Sequence, residues 1–126
     1  MTLNIVMAGA CPYPVPQGSQ VFMGETARCL AGLGHDVRLL VYGYGDARPD
    51  DPAWRPGPEG QKAVSVLRAM RPPFAGSATA PGPHRGKPLH DAALLVKLRR
   101  EARSADVVCA HNYEALIAAL LNGRRP

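Results

Sequence analysis

The sequence predicts an α/β domain, built on a parallel β-sheet with helices on its flanks. Short runs of apolar residues recur along the chain, and each ends at glycine, proline or polar residues. Runs that are apolar throughout are typical of strands buried on both faces of a parallel sheet. Segments with helical periodicity lie between these runs, which favours βαβ units. Hydrophobic residues make up 46% of the 126 residues, enough for one core.

The first third of the chain predicts one βαβ unit. An apolar strand at residues 3–8 leads into a proline-rich loop, and a helix begins near Ser19 or Gln20, where the Ser19 hydroxyl can cap it. Gly34 is placed to end this helix in the left-handed conformation that glycine adopts easily. A second strand follows at residues 37–42, and we expect a right-handed crossover.

Helical spacing predicts which face of this first helix is buried. The apolar residues that recur at that spacing are Val21, Phe22, Thr26, Cys29, Leu30 and Leu33. We therefore expect this face to pack against the sheet.

The rest of the chain predicts two more strands and two more helices. A weaker strand lies at residues 63–67 and a buried one at 106–110. A helix at 89–103 directs its arginines outward and three leucines inward, namely Leu94, Leu95 and Leu98. Another helix begins at Glu114. The segments 43–62 and 68–88, rich in glycine or proline, predict flexible loops. Because so few helices flank the sheet, we expect uncovered apolar surface and a chain that aggregates easily.

Charge and cysteine content limit the setting of the protein. The net charge is +5, and beyond Leu67 the bases outnumber the acids. Such a bias attracts phosphates, nucleic acid or an anionic membrane, or it forms only a solvated basic helix face. The low aromatic share, 6%, disfavours nucleic acid. The sequence has three cysteines without paired spacing, no signal peptide and no long apolar run. These features predict a cytoplasmic protein that is peripheral on the inner face of the membrane.

Two positions are candidates for ligand binding, because ligands of such sheets bind at the carboxyl ends of the strands. Gly18 precedes the first helix, where backbone N–H groups and the helix dipole attract a phosphate; the alternative is a turn glycine in a stiff connection. His111 follows the fourth strand and can hydrogen-bond a ligand or act as a base; the alternative is that it satisfies a buried carbonyl. The other histidines, at 35, 84 and 90, lie in turns or loops.

Three segments, in the same order and in matching positions, resemble family 4 glycosyltransferases of the GT-B fold. They read LNIVMA with PYP and QGSQV, then ETARCLAGLGHDV, and finally DVVCAHN. The resemblance implies two Rossmann-like domains that face each other across a cleft. The N-terminal domain binds the acceptor, and the C-terminal domain binds the nucleotide sugar and supplies a glutamate pair. Transfer retains the anomeric configuration and uses no metal ion.

By this resemblance, residues 1–126 are the partial N-terminal, acceptor-side domain, an incomplete half of the GT-B fold that we expect to be inactive alone. Gly18 and Ser19 correspond to the loop that approaches the donor diphosphate, and His111 to a catalytic histidine near the transferred sugar. Two positions depart from the family pattern. Gln17 stands where many members have glycine, and Cys109 replaces a first histidine and is expected to point back into the fold.

The resemblance also implies the partners. These are a nucleotide sugar, an acceptor such as a lipid-linked or polysaccharide precursor, and the missing donor-binding domain; no metal or other cofactor is expected. Two alternatives stay open. The chain is a non-catalytic subunit of a split glycosyltransferase, or it is a small Rossmann-like module that binds a nucleotide or phosphate.

Overall fold

A computed structural model describes residues 1–45, 62–78 and 83–123. The strands are β1 (Asn4–Ala8), β2 (Asp36–Val41), β3 (Ser65–Arg68) and β4 (Val107–Ala110). The helices are α1 (Gly18–Gly32), α2 (Lys87–Glu101), which a 3-10 turn at Ala102–Ser104 extends, and α3 (Tyr113–Leu121). The predicted α/β architecture is confirmed, and the element ends lie within a few residues of those predicted.

The four strands form one parallel sheet in the order β3-β2-β1-β4. The chain builds outward from β1 through β2 to β3, and then returns to place β4 on the other side of β1. The strand order therefore reverses between β1 and β4, where Ala8 lies opposite Ala110. Loops that leave neighbouring strands at such a reversal diverge to opposite faces of the sheet, which leaves a crevice at the carboxyl edge.

Helices cover both faces of the sheet, which explains why the central strand β1 is apolar and buried from Ile5 to Ala8. Successive side chains along β1 point to opposite faces. Val6 packs in the core beneath α2 and α3, and Met7 packs in the core beneath α1. The predicted inward leucines of α2 are confirmed, because Leu94 and Leu98 are fully buried. Burial of each contributes about 1.5–3 kcal/mol relative to an exposed leucine.

The predicted buried face of α1 is wrong. The residues that α1 buries are Gln20, Met23, Gly24, Ala27 and Ala31. Phe22 and Leu33, by contrast, are 66% and 74% exposed. Small residues allow the helix to pack closely against its neighbours, and at Gly24 it lies so close to Tyr13, in the loop after β1, that a Cβ would collide with the tyrosine hydroxyl. The large apolar side chains of α1 consequently lie on its outer side.

The two ends of α1 differ in how well the sequence predicted them. The helix begins at Gly18 and has no side-chain cap. The predicted cap by Ser19 is wrong, because the helix begins one residue earlier and Ser19 already lies within its first turn. There the Ser19 Oγ donates to Gln20 Oε1 over 2.6 Å. At the other end, Gly34 has a φ of +93°, so its predicted left-handed conformation is confirmed.

The predicted loops at 43–62 and 68–88 fall partly outside the described residues, namely at 46–61 and 79–82. The described part of the second loop packs on the end of α2 and on the segment after β2. Tyr44 Oη donates to the carbonyl of Ala78 over 3.0 Å. Gly86 approaches the backbone of Ala75 so closely that a Cβ there would collide with the carbonyl oxygen. The flexibility of these loops stays a prediction.

Helix α3 exposes a patch of apolar side chains, in addition to the exposed apolar residues of α1. Four of its side chains are between 41% and 61% exposed, namely Leu116, Ile117, Leu120 and Leu121. Such a patch favours association, but the aggregation that we expect from the sequence stays a prediction. Among the described helices, none has the length and apolar character needed to cross a membrane.

Candidate functional site

The reversal of strand order brings the predicted site residues together. Gly18 begins α1 and His111 follows β4, so both lie at the carboxyl edge of the sheet. The Nε2 atom of His111 is 2.8 Å from the backbone carbonyl oxygen of Ser19. The imidazole also lies beside Phe22, with 5.8 Å between the ring centroids. Gly18, Ser19 and His111 therefore share one crevice.

Neither the backbone nor the packing of this chain requires a glycine at position 18. A Cβ there would meet no atom within 4 Å, and the φ of Gly18 lies outside the left-handed region. The space above this residue is therefore open. Because α1 lacks a side-chain cap, the N–H groups of its first turn face outward and carry the positive end of the helix dipole. This helix start suits an anionic ligand.

The hydrogen bond to Ser19 determines which nitrogen of the His111 ring carries the proton. A carbonyl oxygen only accepts, so Nε2 donates, and Nδ1 of the neutral ring is left as an acceptor. Ser19 is an exposed residue, so its carbonyl does not depend on His111 for a hydrogen bond. This exposure argues against the alternative that His111 merely satisfies a buried carbonyl.

Asn112 joins the two loops that carry these residues. Its Oδ1 accepts from Ala10 N over 3.2 Å and from Ala115 N over 3.1 Å, and its Nδ2 donates to the Ala10 carbonyl over 3.3 Å. The side chain thus caps α3 and holds the loop after β1 against the end of β4. Sequence reasoning assigned no role to Asn112, although an asparagine before an apolar helical segment is a known capping signal.

Four polar side chains form a second group next to the crevice, and we call it the Lys87 cluster: Tyr42, Lys87, Asp91 and Glu114. The Nζ atom of Lys87 lies 2.9 Å from Glu114 Oε1 and 3.7 Å from Asp91 Oδ1, and it donates to Tyr42 Oη over 2.9 Å. Tyr42 Oη in turn donates to Asp91 Oδ1. Sequence reasoning missed this cluster, and only the i, i+4 spacing of Lys87 and Asp91 hinted at it.

A polar pocket of about 160 Å³ separates the Lys87 cluster from the start of α1. Lys87 and Tyr42 line one side of the pocket, and Ser19 and Asn112 line another. Other polar side chains that line it are Gln17, Gln20, Tyr44 and His84. The crevice at the switch point therefore continues into a hydrophilic pocket.

Burial and hydrogen bonding determine the protonation of the groups around this pocket. Burial raises the pKa of the Cys11 thiol to about 12, although Lys87 acts to lower it. Burial and the hydrogen bond to Asp91 raise the pKa of Tyr42. Burial acts to raise the pKa of Glu114 as well, but the hydrogen bond from Lys87 and other favourable contacts outweigh it, so the net pKa is lowered. At neutral pH, Cys11 and Tyr42 are neutral and Glu114 is ionised.

His90 is not in a turn or loop, so that prediction is wrong. It lies in α2, on the same face as Leu94, and is 1% exposed. Its ring packs against Tyr42 and Tyr44, with centroids 5.2 and 4.7 Å apart, and its Nε2 is 3.1 Å from the carbonyl oxygen of Gly76. Because α2 begins at Lys87, position 90 already belongs to its buried face. His90 thus supports the aromatic floor beside the pocket.

The fold and the crevice define a class of protein: a Rossmann-like α/β domain that presents a ligand site at the reversal point of a parallel sheet. Fold alone does not name an activity. Residues 16–126 match the model of Glycosyltransferase Family 4, and the chain belongs to this family. The resemblance seen in the sequence is thereby confirmed. No curated protein is significantly similar to the chain.

Proposed function

We propose that this chain forms the acceptor-side wall of a retaining GT-B glycosyltransferase, which transfers a sugar from a nucleotide-sugar donor to an acceptor. A second Rossmann-like domain, which binds the nucleotide, would face the crevice from the other side. Family membership supports sugar transfer as the role. The observation that carries the proposal is the shared crevice of Gly18 and His111 at the switch point.

In the proposed mechanism, the start of α1 acts on the donor diphosphate. When the bond between the anomeric carbon and the diphosphate oxygen breaks, negative charge develops on the leaving group. The N–H groups of Gly18 and Ser19, together with the helix dipole, stabilise that charge without a metal ion. The missing Cβ of Gly18 allows the diphosphate to approach the backbone.

His111 acts on the sugar that is transferred. With Nε2 held by the Ser19 carbonyl, its Nδ1 accepts a hydrogen bond from a hydroxyl of the sugar. That bond strengthens as positive charge develops on the ring, so it favours the transition state over the bound substrate. The acceptor oxygen forms the new bond to the anomeric carbon, and its proton leaves with the nucleoside diphosphate. Because the nucleotide lies on the second domain, this chain alone would bind substrates without transferring sugar.

Kinetics of His111→Ala tests the catalytic role. We expect kcat/KM for transfer from the preferred nucleotide sugar to fall about 100-fold, in the range found for acid–base and charge-stabilising side chains. The assay uses this chain together with its donor-binding domain and a panel of nucleotide sugars. His35→Ala is the matched control, because His35 binds the Leu3 amide at the opposite edge of the sheet. Activity of His111→Ala within twofold of the wild type would contradict the proposal.

The same experiments separate the alternative readings of the site. Transfer that appears only when the chain is mixed with a separate donor-binding polypeptide would identify a subunit of a split enzyme. Micromolar binding of a mononucleotide by the chain without any second domain would instead identify a stand-alone binding module.

We further propose that the protein is cytoplasmic and rests on an anionic membrane surface. A groove of about 650 Å³ runs along α2, with apolar side chains of Met70, Leu89 and Val96 in its wall and the cations Lys97 and Arg100 beside them. The three apolar side chains are 72%, 48% and 64% exposed. An apolar strip beside cations suits the headgroup region of a bilayer, where each cation contributes about 1 kcal/mol.

Flotation with liposomes tests this membrane contact. We expect the protein to float with vesicles that contain phosphatidylglycerol and not with pure phosphatidylcholine, and the double variant Lys97→Ala, Arg100→Ala to bind at least about tenfold more weakly. Arg28→Ala, which removes a cation from α1 instead, serves as the control. Equal flotation with neutral and anionic vesicles would contradict the proposal.

A further inference from the structure

Phe22 is an aromatic side chain whose position the hydrophobic core does not explain. It lies on the outer side of α1, is 66% exposed and belongs to neither cluster of buried apolar residues in the described part of the chain. Its ring lies instead beside the imidazole of His111, with 5.8 Å between the centroids and 31° between the planes. The contact that Phe22 makes is therefore at the candidate site.

The backbone of His111 is fixed, whereas its ring keeps rotational freedom. The amide of His111 donates to the Ala8 carbonyl over 2.9 Å, which continues the pairing of β4 with β1. The χ2 torsion of a histidine is broad and roughly two-fold. The ring can therefore occupy two opposite orientations and can tilt within each of them, unless neighbouring groups prevent it.

Two groups on one face of α1 restrict this freedom in different ways. Ser19 and Phe22 are three positions apart in the helix, so they lie on the same face. The Ser19 carbonyl accepts from Nε2 over 2.8 Å and thereby selects one of the two opposite orientations, because the other would place a carbon atom there. The Phe22 ring restricts the tilt, because its distance from the imidazole is that of a packed aromatic pair.

The hydrogen bond alone would hold the ring only weakly. It lies in an exposed setting, where water competes for both the Nε2–H group and the carbonyl oxygen. An aromatic ring packed beside the imidazole displaces part of that water. The hydrogen bond to Ser19 therefore depends on its aromatic neighbour.

We propose that Phe22 is a positioning residue, whose ring holds the His111 imidazole with Nε2 on the Ser19 carbonyl and with Nδ1 available to a ligand. The inference rests on the proposed function and deepens it, because it names the side chain that orients the proposed catalytic histidine. Phe22 acts through His111 and not on the reacting atoms. This role also accounts for the outward position of a large apolar side chain on α1.

NMR of the 126-residue chain tests the orientation of the ring without any sugar or nucleotide. Three-bond couplings and nuclear Overhauser contacts measure the ratio of the orientation bonded to Ser19 to all other orientations of His111. Phe22→Leu retains an apolar side chain with good helix propensity but removes the ring. We expect the ratio to fall about fivefold in this variant, which corresponds to the loss of one aromatic pair. An unchanged ratio would overturn the inference.

Rescue and control variants separate the effect of the ring from a general loss of structure. Phe22→Tyr restores an aromatic ring and should restore the wild-type ratio, and a ratio as low as that of Phe22→Leu would overturn the inference. Leu33→Ala removes another exposed apolar side chain from the same helix and should leave the ratio unchanged. Because Phe22 is exposed, we expect Phe22→Leu to unfold at nearly the same urea concentration as the wild type. Phe22→Met provides the same test if Phe22→Leu does not fold.

Kinetics with the donor-binding domain present test whether Phe22 acts through His111. Phe22→Leu should lower kcat about fivefold and leave KM within about twofold, because the bond from His111 strengthens in the transition state. In the His111→Ala background, the same substitution should change kcat by less than about 1.5-fold, because the imidazole is absent. An equal fall of kcat in both backgrounds would overturn the inference.

The NMR and kinetic measurements fail separately. A ring orientation that depends on Phe22, in a protein whose transfer rate does not depend on His111, would contradict the proposed function and support the orienting role of Phe22. A ring orientation that is independent of Phe22, in a protein whose transfer rate depends on His111, would overturn the inference and leave the proposed function intact.

Discussion

Removal of the Asn112 side chain should destabilise the fold by an amount that follows from its three hydrogen bonds. In Asn112→Ala, α3 loses its cap, which costs about 1 kcal/mol. The two bonds with Ala10 are lost as well, one from its amide and one to its carbonyl. Each contributes about 1 kcal/mol in a partly buried setting. We therefore expect the free energy of unfolding to fall by about 3 kcal/mol.

Urea unfolding followed by circular dichroism measures this loss. With a slope of about 2 kcal/mol per molar urea, the midpoint should fall by about 1.5 M. Asn112→Asp retains the oxygen that accepts from Ala10 N and Ala115 N but loses the donor to the Ala10 carbonyl, so we expect it to lose only about 1 kcal/mol.

A second asparagine provides the control for this prediction. Asn122 lies at the other end of α3 and hydrogen-bonds Arg99 at the surface. Its Nδ2 also donates to the Ala118 carbonyl over 3.0 Å in a partly buried setting. Asn122→Ala should cost about 1 kcal/mol, because only this bond is partly buried and the contact with Arg99 exchanges readily with water. A loss below about 1 kcal/mol in Asn112→Ala, or an equal loss in Asn112→Asp, would refute the reasoning that Asn112 joins the two loops.

Two other predictions concern glycines and pH. Gly18→Ala should leave the midpoint of unfolding nearly unchanged, because its Cβ meets no atom, but it should lower kcat/KM because the new methyl group blocks the diphosphate. Gly86→Ala should destabilise the fold, because its Cβ collides with a backbone carbonyl. Equal unfolding midpoints of the two variants would contradict this difference. Glu114 has a lowered pKa in the fold, so its contribution to stability is present above the ordinary pKa of 4.5 and is lost as the pH falls through the folded value. Glu114→Gln should therefore flatten the acid limb of a plot of unfolding free energy against pH, and an unchanged limb would contradict the assignment.

The sequence predicted the type and order of the elements because periodicity and glycine placement are local signals. It did not predict the buried face of α1. A rule that places the largest apolar residues inward selects Phe22 and Leu33, but the close packing of Gly24 against Tyr13, in the loop after β1, reverses that choice. Which side chains of a helix pack inward therefore depends on how closely the helix approaches its neighbours in the fold. The spacing of residues along the sequence carries no information about that distance.

The candidate site was predicted in part for the same reason. Gly18 and His111 each follow a strand, so the rule for parallel sheets placed both at the carboxyl edge. The Lys87 cluster, by contrast, joins Tyr42, Lys87 and Glu114, which lie far apart in the sequence. No spacing connects such residues, so only the folded structure shows that their side chains contact one another.

An NMR titration of the chain with nucleotide sugars tests the central claim most directly, namely that the donor meets this domain where the strand order reverses. We expect amide shifts at Gly18, Ser19 and His111, at millimolar ligand because the second domain binds the nucleotide. The amino edge of the sheet provides an internal comparison, since Asn4 and Asp36 line a separate pocket of about 430 Å³ there. Shifts confined to that pocket, or no shift at the start of α1 with any nucleotide sugar, would contradict the account.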